Sequence, residues 1–237
     1  MKAFLLAGGI GERLRPLTLS IPKCLVPING IPLLDIWLDC CALHGISEVL
    51  LNVSQHPELV RAHLARRGSR PAVHLVIEPA PQGSASTVLT HRDFVARADE
   101  FWILYADTLT DVDLTAMHNA HRGHAGVATL GLFRAPVPTA VGIVDLAPDG
   151  RIVRFTEKPS HPTSDLANAG ICLARAELLD AIPPTPMVDF GHHVFPKLAG
   201  RLYGHVIDGL VLDIGTPTSL EAAQGAWASR PAAECAS

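Results

Sequence analysis

Residues 5–27 read Leu-Leu-Ala-Gly-Gly-Ile-Gly-Glu-Arg-Leu-Arg-Pro-Leu-Thr-Leu-Ser-Ile-Pro-Lys-Cys-Leu-Val-Pro, and this stretch decides the fold. A short apolar run, Lys2–Ala7, predicts a strand that feeds directly into Gly8, Gly9 and Gly11. Glycines can turn sharply and bring backbone N–H groups to face an anion. Arg13 follows at once and Lys23 ten residues later, so two cations complete a phosphate cradle. Two better-known phosphate loops are excluded. A Walker loop needs Gly-x4-Gly-Lys-Ser/Thr, and no such string occurs. A dinucleotide fingerprint needs a third Gly where Leu14 stands.

Outward from this loop, apolar β-type runs alternate with helical patterns. Strands are expected at Lys2–Ala7, Glu48–Val53, Ala72–Ile77 and Phe101–Ala106. Helices are expected at Pro32–His44, Pro57–Arg67, Ser84–His91 and Leu114–His121. Such alternation predicts a parallel sheet with helices on both faces, whose ligands sit beyond the carboxyl ends of the strands. The Gly loop and Asp107 should therefore share one crevice. The second half is richer in strand, with runs at Val127–Phe133, Gly142–Asp145, Ile152–Thr156, Ala169–Ala174, Leu202–Ile207 and Val211–Leu212. A helix is expected over Asp189–Leu198. Thr216 should cap a last helix that has Pro217 at its first position and runs on through Ser219–Ala228. One domain over 1–230 is expected, divided into halves 1–125 and 126–230, with 231–237 as a flexible tail.

The 237 residues are 48% apolar and 18% charged, as in a globular chain, and no apolar run approaches the ~20 residues of a membrane span. A net charge of −4 gives no global support for binding nucleic acid. The first 23 residues nevertheless carry Lys2, Arg13, Arg15 and Lys23 against Glu12 alone, a positive mouth suited to a small polyanion. Five cysteines, an odd number without a Cys-x-x-Cys pair, read as free thiols in a cytoplasmic protein.

The order of strand, Gly-Gly-x-Gly-x-Arg-Leu-x-Pro-Leu-Thr and Pro-Lys resembles the sugar-1-phosphate nucleotidyltransferases, and the likeness extends from Met1 to about Trp227. The resemblance implies an α/β fold: a Rossmann-like mixed, mostly parallel sheet with helices on both faces and a small β-rich sugar-binding part. It implies nucleotide binding by Leu6, Ala7, Gly8, Gly9 and Gly11. Arg13 and Lys23 would neutralise the triphosphate. Asp107 and Asp213, the latter in Asp-Ile-Gly-Thr-Pro, would be the Mg²⁺ carboxylates, although Ala106 stands where the family usually has Gly. Lys158 in Glu157-Lys158-Pro159 would grip the sugar phosphate, and Glu157 would accept from sugar hydroxyls. Gly142, Asn168 and Gly170 would line the sugar site.

Glu78-Pro-Ala-Pro-Gln-Gly-Ser-Ala resembles the base-binding loop, with Gly83 and Ser84 where the family reads Gly-Thr. A carboxylate at position 78 only accepts hydrogen bonds, which suits the N1–H and N2–H groups of guanine, so GTP is expected. The chain resembles most the mannose-1-phosphate and D-glycero-D-manno-heptose-1-phosphate guanylyltransferases, and its short length looks more like the bacterial heptose-1-phosphate enzymes than like long fused forms. The expected partners are a nucleoside triphosphate and a sugar 1-phosphate, and a homodimer is an open expectation; nucleic acid and membrane are not expected partners. The competing readings are a dTTP, UTP or CTP enzyme, a catalytically silent nucleotide-sugar sensor, and a phosphocholine-type cytidylyltransferase. His118, His121 and His124 read as a solvated helix face rather than a zinc site. His192 and His193 depart from the family pattern.

Overall fold

The computed structural model describes residues 1–68 and 70–229, so the expected tail lies outside the described residues. The strands are β1 Lys2–Ala7, β2 Pro27–Ile28, β3 Ile31–Pro32, β4 Glu48–Val53, β5 Ala72–Ile77, β6 Glu100–Tyr105, β7 Thr108–Thr110, β8 Ala128–Arg134, β9 Gly142–Leu146, β10 Arg151–Glu157, β11 Leu166–Arg175, β12 Leu202–Val206 and β13 Val211–Asp213. The α-helices are α1 Leu33–Leu43, α2 Pro57–Arg67, α3 Ser84–Thr90, α4 Leu114–Arg122 and α5 Pro217–Ala228.

Nine strands form one mixed sheet in the order β5-β4-β1-β6-β11-β8-β12-β10-β9. The four strands that the first half gives to this sheet, β5, β4, β1 and β6, are parallel, as the strand–helix alternation requires. β11 runs antiparallel to both β6 and β8 and joins the halves. Side chains alternate across β1. Ala3 and Leu5 pack under α1, α2, α4 and α5, while Phe4 and Leu6 pack under α3 and the segment 190–198. With both faces covered, the central strands read as unbroken apolar runs rather than alternating ones. Trp37 in α1 is 1% exposed, and its Nε1 donates to Thr108 O at 2.8 Å, pinning that helix to β7. Among the described residues no helix is long and apolar enough to cross a membrane.

Two departures from expectation have local causes. The helix expected over Asp189–Leu198 is instead a π turn, Phe190–Val194, followed by a 3-10 turn, Phe195–Leu198. Pro196 has no N–H with which to continue an α-helix, and Phe195 N–H reaches back to Phe190 O. The β2–β3 hairpin was not expected. It turns at Asn29 and Gly30, both at positive φ (49° and 87°), the conformation that an Asn-Gly pair favours.

Candidate active site

β1 ends against Asn52 of β4, whose Oδ1 accepts from Ala7 N at 3.0 Å. The glycines that follow serve different ends. A Cβ on Gly8 would fall 2.7 Å from Asn52 Nδ2, whereas Gly9 faces open space. Gly11 has φ +71°, and its carbonyl accepts from Thr18 Oγ1 at 2.7 Å. That bend starts the short 3-10 turn Glu12–Leu14, which carries Arg13 into the cleft.

Lys23, Asp107 and Asp213 meet directly beyond the loop. Lys23 Nζ lies 2.7 Å from Asp107 Oδ2 and 3.6 Å from Asp213 Oδ1, and the lysine side chain is only 11% exposed. The antiparallel pairing of β7 with β13 sets Asp213 opposite Thr108, the residue after Asp107, and Ile214 N donates to Asp107 O at 2.9 Å. Two strand ends thus deliver two carboxylates to one ammonium. Arg13 Nη2 stands 3.8 Å from Asp213 Oδ2. Gly215 leaves room for this pair, since a Cβ there would approach Asp213 Oδ2 to 2.5 Å and Arg13 Nη2 to 2.8 Å. Burial raises the Asp213 carboxyl above its usual range; Asp107 adds to the effect, while Lys23 and Arg13 oppose it.

Two cavities open from this centre, and Tyr105 and Asp107 line both. One, of about 240 Å³, is walled by Leu6, Gly8, Gly9, Glu78, Gly83 and Ser84. The other, of about 300 Å³, is walled by Gly142, Glu157, Lys158, Asn168 and Gly170. Leu6, Ala7 and Gly9 also line a small recess with Lys23 and Asp107. Of the residues singled out from the sequence, all but Gly11 line one of these spaces.

In the first cavity Glu78 is 2% exposed and bound at both oxygens. Its Oε2 accepts from Asn52 Nδ2 at 2.9 Å and its Oε1 from Thr87 Oγ1 at 2.7 Å. Ser84 Oγ donates to Asp189 Oδ2 at 2.7 Å and accepts from Phe190 N at 3.0 Å. Gly83, at φ +91°, makes room for protein rather than ligand, because a Cβ there would come within 2.5 Å of Val188 O. That carbonyl in turn accepts from Ala85 N and Ser86 N, satisfying first-turn donors of α3.

In the second cavity Glu157 closes β10 with its side chain 16% exposed. Burial raises its carboxyl above the usual range; Lys158 and His192 oppose this and Asp189 adds to it. Gly142 and Gly191 both clear space for the Glu157 carboxylate. Lys158 sits at φ 45°, a sparsely populated conformation that costs about 1–3 kcal/mol. Asn168 Oδ1 accepts from Gly170 N at 3.2 Å, and Gly170, at φ +72°, lets β11 pass the Tyr105 ring. His192 lines this cavity, whereas His193 Nδ1 is held by Asp189 N at 2.9 Å.

Sequence reasoning missed Asn52, Tyr105, Asp189 and Gly191. Asp189, as a cap before a run of helical pattern, had a readable signal; the others are defined only by tertiary contact. The histidine reading needs correction. His121 is fully buried rather than solvated: its Nδ1 lies 2.7 Å from Thr129 Oγ1, and His124 stacks on Tyr203 at 3.8 Å. β8 and β12 cover that end of α4, which an isolated helical pattern cannot reveal. Among the described residues no cluster of three or more His, Cys, Asp or Glu could hold a metal.

A family model described as nucleotidyl transferase matches residues 2–230. A probable mannose-1-phosphate guanylyltransferase 1 of Oryza sativa subsp. japonica is 32% identical over 224 residues, covering 92% of this chain and 62% of that protein. The mannose-1-phosphate guanylyltransferase of Mycobacterium tuberculosis is 34% identical over 221 residues, covering 91% and 61%. The chain thus spans about three fifths of the length of these relatives. A putative glucose-1-phosphate thymidylyltransferase from Bacillus anthracis, solved in complex with a sucrose, superposes with a TM-score of 0.86 at 22% identity, covering 99% of this chain and 98% of that one. HddC from Yersinia pseudotuberculosis, complexed with GMP-PN, superposes with a TM-score of 0.79 at 20% identity, covering 95% and 99%. These two share the fold. With the match running through both cavities and both strand-end carboxylates, the chain belongs to the nucleotidyl transferase family.

Proposed function

We propose that this chain transfers a nucleoside monophosphate from a nucleoside triphosphate, GTP by preference, to a sugar 1-phosphate of manno configuration, releasing pyrophosphate. The acceptor is mannose 1-phosphate or D-glycero-α-D-manno-heptose 1-phosphate. The observation that carries this reading is the junction of the two cavities at Tyr105 and Asp107, with Lys23 held between two carboxylates at the same point. The relatives at about a third identity, mannose-1-phosphate guanylyltransferases by name, support the choice of GTP and mannose 1-phosphate.

The first cavity takes the nucleotide, its phosphates lying over Gly8 and Gly9, where the open face of Gly9 admits close approach. Arg13, mostly exposed at the rim, meets the terminal phosphates and then the departing pyrophosphate. Lys23 lies deeper and faces the α-phosphate as charge accumulates on it. The second cavity takes the sugar, with Lys158 on its phosphate and Glu157 and Asn168 on its hydroxyls. The sugar phosphate oxygen attacks the α-phosphorus in line, and the bond to the β-phosphate oxygen breaks. A phosphate dianion needs no general base, so catalysis is positioning plus charge neutralisation.

Asp107 and Asp213 would hold Mg²⁺. Two hard oxygen donors that already converge on one positive charge suit it, because Mg²⁺ commonly takes one or two carboxylates and completes its shell with phosphates and water. Bound there, it would screen the charge of the triphosphate. We place the reaction in the cytoplasm; burial pushes the free thiols Cys24 and Cys40 up to about 12 and Cys41 and Cys172 higher still, so they are inert packing groups.

The test is pyrophosphate release with Mg²⁺, crossing GTP, dTTP, UTP, CTP and ATP with the two sugar 1-phosphates. Release with GTP and one manno sugar is expected. Release with a pyrimidine triphosphate alone overturns the base assignment, and silence throughout overturns the reading.

A further inference from the structure

Taking the nucleotidyl-transfer reading as its basis, we infer that Gln82, and not Glu78, reads the edge of the nucleobase. Both lie on the first cavity's wall, Glu78 five residues and Gln82 one residue before Gly83, which caps α3. Their chemical situations differ. Glu78 is buried, and each carboxylate oxygen already accepts from a side chain, Oε2 from Asn52 and Oε1 from Thr87. Asn52 uses its own Oδ1 on Ala7 N. The chain Thr87–Glu78–Asn52–Ala7 is therefore a brace that fixes the end of β1 beneath the glycine cradle. To turn Glu78 toward a base would unpair Asn52 and Thr87 inside the protein, and a buried polar group left without a partner is costly.

The Gln82 carboxamide has no hydrogen-bond partner among the described residues and is half-buried. It stands where the nucleotide cavity meets a wider outer groove of about 660 Å³, bordered by Pro79, Pro81, Leu89, Pro184 and Met187. Its backbone is held from both sides. Glu78 N donates to Val53 O at 2.8 Å, the prolines at 79 and 81 fix φ, and Gly83 is seated against the Val188 carbonyl. A carboxamide presented on a fixed backbone offers one acceptor and two donors, the complement of a base edge on which a carbonyl adjoins an N–H. On guanine that edge is O6 beside N1–H, which takes two parallel hydrogen bonds from Gln82.

The experiment compares binding of GTP and of purine riboside 5′-triphosphate, which lacks both edge groups, by titration calorimetry. The proteins are the full chain, Gln82→Leu, Gln82→Asn and Glu78→Gln, and GTP turnover is followed in parallel. The full chain is expected to bind GTP about tenfold more tightly than the edge-less analogue, as one bidentate contact implies. Gln82→Leu should abolish that difference by weakening GTP alone. Gln82→Asn should restore part of it. Glu78→Gln should weaken both ligands alike and keep the ratio. The proposal is overturned if Gln82→Leu keeps the ratio, or if Glu78→Gln abolishes it. Binding with the expected pattern but without turnover would refute nucleotidyl transfer while leaving the assignment of Gln82 in place.

Discussion

Ser84 Oγ donates to Asp189 Oδ2 at 2.7 Å and so joins residues 105 positions apart, one at the start of α3 and the other capping the turn that carries His192. Asp189 Oδ1 meanwhile accepts from Gly191 N and His192 N at 2.9 and 3.2 Å. One carboxylate thus holds a wall of the first cavity and a wall of the second together. Asp189→Ala strands three donors, which should cost about 1–3 kcal/mol. In a chain of this size that lowers the melting temperature by about 2–4 °C per kcal/mol. Both substrates' KM values should rise together, and Ser84→Ala should show a smaller version of the same pattern. Thermal denaturation and separate KM measurements check this; a change confined to one substrate would contradict a shared wall.

Among the described residues Lys23 is the only side chain paired with both Asp107 and Asp213, and it is almost wholly enclosed. Lys23→Met removes the cation that the proposed mechanism sets at the α-phosphate and leaves Asp107 and Asp213 without their shared ammonium. Loss of a single preorganised donor of this kind reduces kcat by about 10²–10³-fold. Steady-state kinetics at saturating substrates should show that fall. Retention of more than a tenth of kcat would remove Lys23 from the chemistry.

The first half of the chain was legible because its strands are short apolar runs broken by helices, and β1, β4, β5 and α2 lie where the pattern puts them. The site glycines were legible as a group but not in their separate duties. Gly9 is open to ligand, Gly8 yields to Asn52, and Gly83 yields to Val188. Periodicity cannot tell which neighbour will occupy the space that a missing Cβ leaves. The same limit applies to Glu78. Its hydrogen bonds to Asn52 and Thr87, 26 and 9 residues away in sequence, could not be read from its charge. The turn over 190–198 was misread because its apolar spacing is helical, while Pro196 and the Asp189 cap favour tighter and wider turns in succession.

On the proposed assignment of the second cavity to the sugar, Glu157 makes sugar binding pH-dependent. Burial raises its carboxyl, so protonation begins at a higher pH than for an exposed glutamate. The ionised form accepts hydroxyl hydrogen bonds best. The KM for the sugar 1-phosphate should therefore rise as pH falls through the raised value, while the KM for the triphosphate does not follow. Glu157→Gln should raise the sugar KM about tenfold at neutral pH and flatten its dependence on pH, since hydrogen bonds to charged groups are worth about 1.5–3 kcal/mol. The KM–pH profiles of the two proteins decide it; parallel profiles would exclude Glu157 as the titrating group.

His121 couples acid to unfolding. Burial lowers it to about 3, helped by the charges of Arg175, His124 and His118. Its Nδ1 is engaged with Thr129 Oγ1, and its Nε2 lies 3.6 Å from Glu100 Oε1. In the unfolded chain an ordinary histidine takes up a proton near pH 6.5. Folded His121 remains neutral down to about 3, so between these values the unfolded state binds more protons. The stability associated with this residue is therefore intact above about 6.5 and declines as pH falls toward 3, at up to about 1.4 kcal/mol per pH unit. His124, also lowered chiefly by burial, adds to the slope in the same direction. Urea midpoints measured from pH 7.5 to 4.5 should fall for the full chain and fall less steeply for His121→Gln, which cannot be charged. Equal slopes in the two proteins would place the acid sensitivity elsewhere.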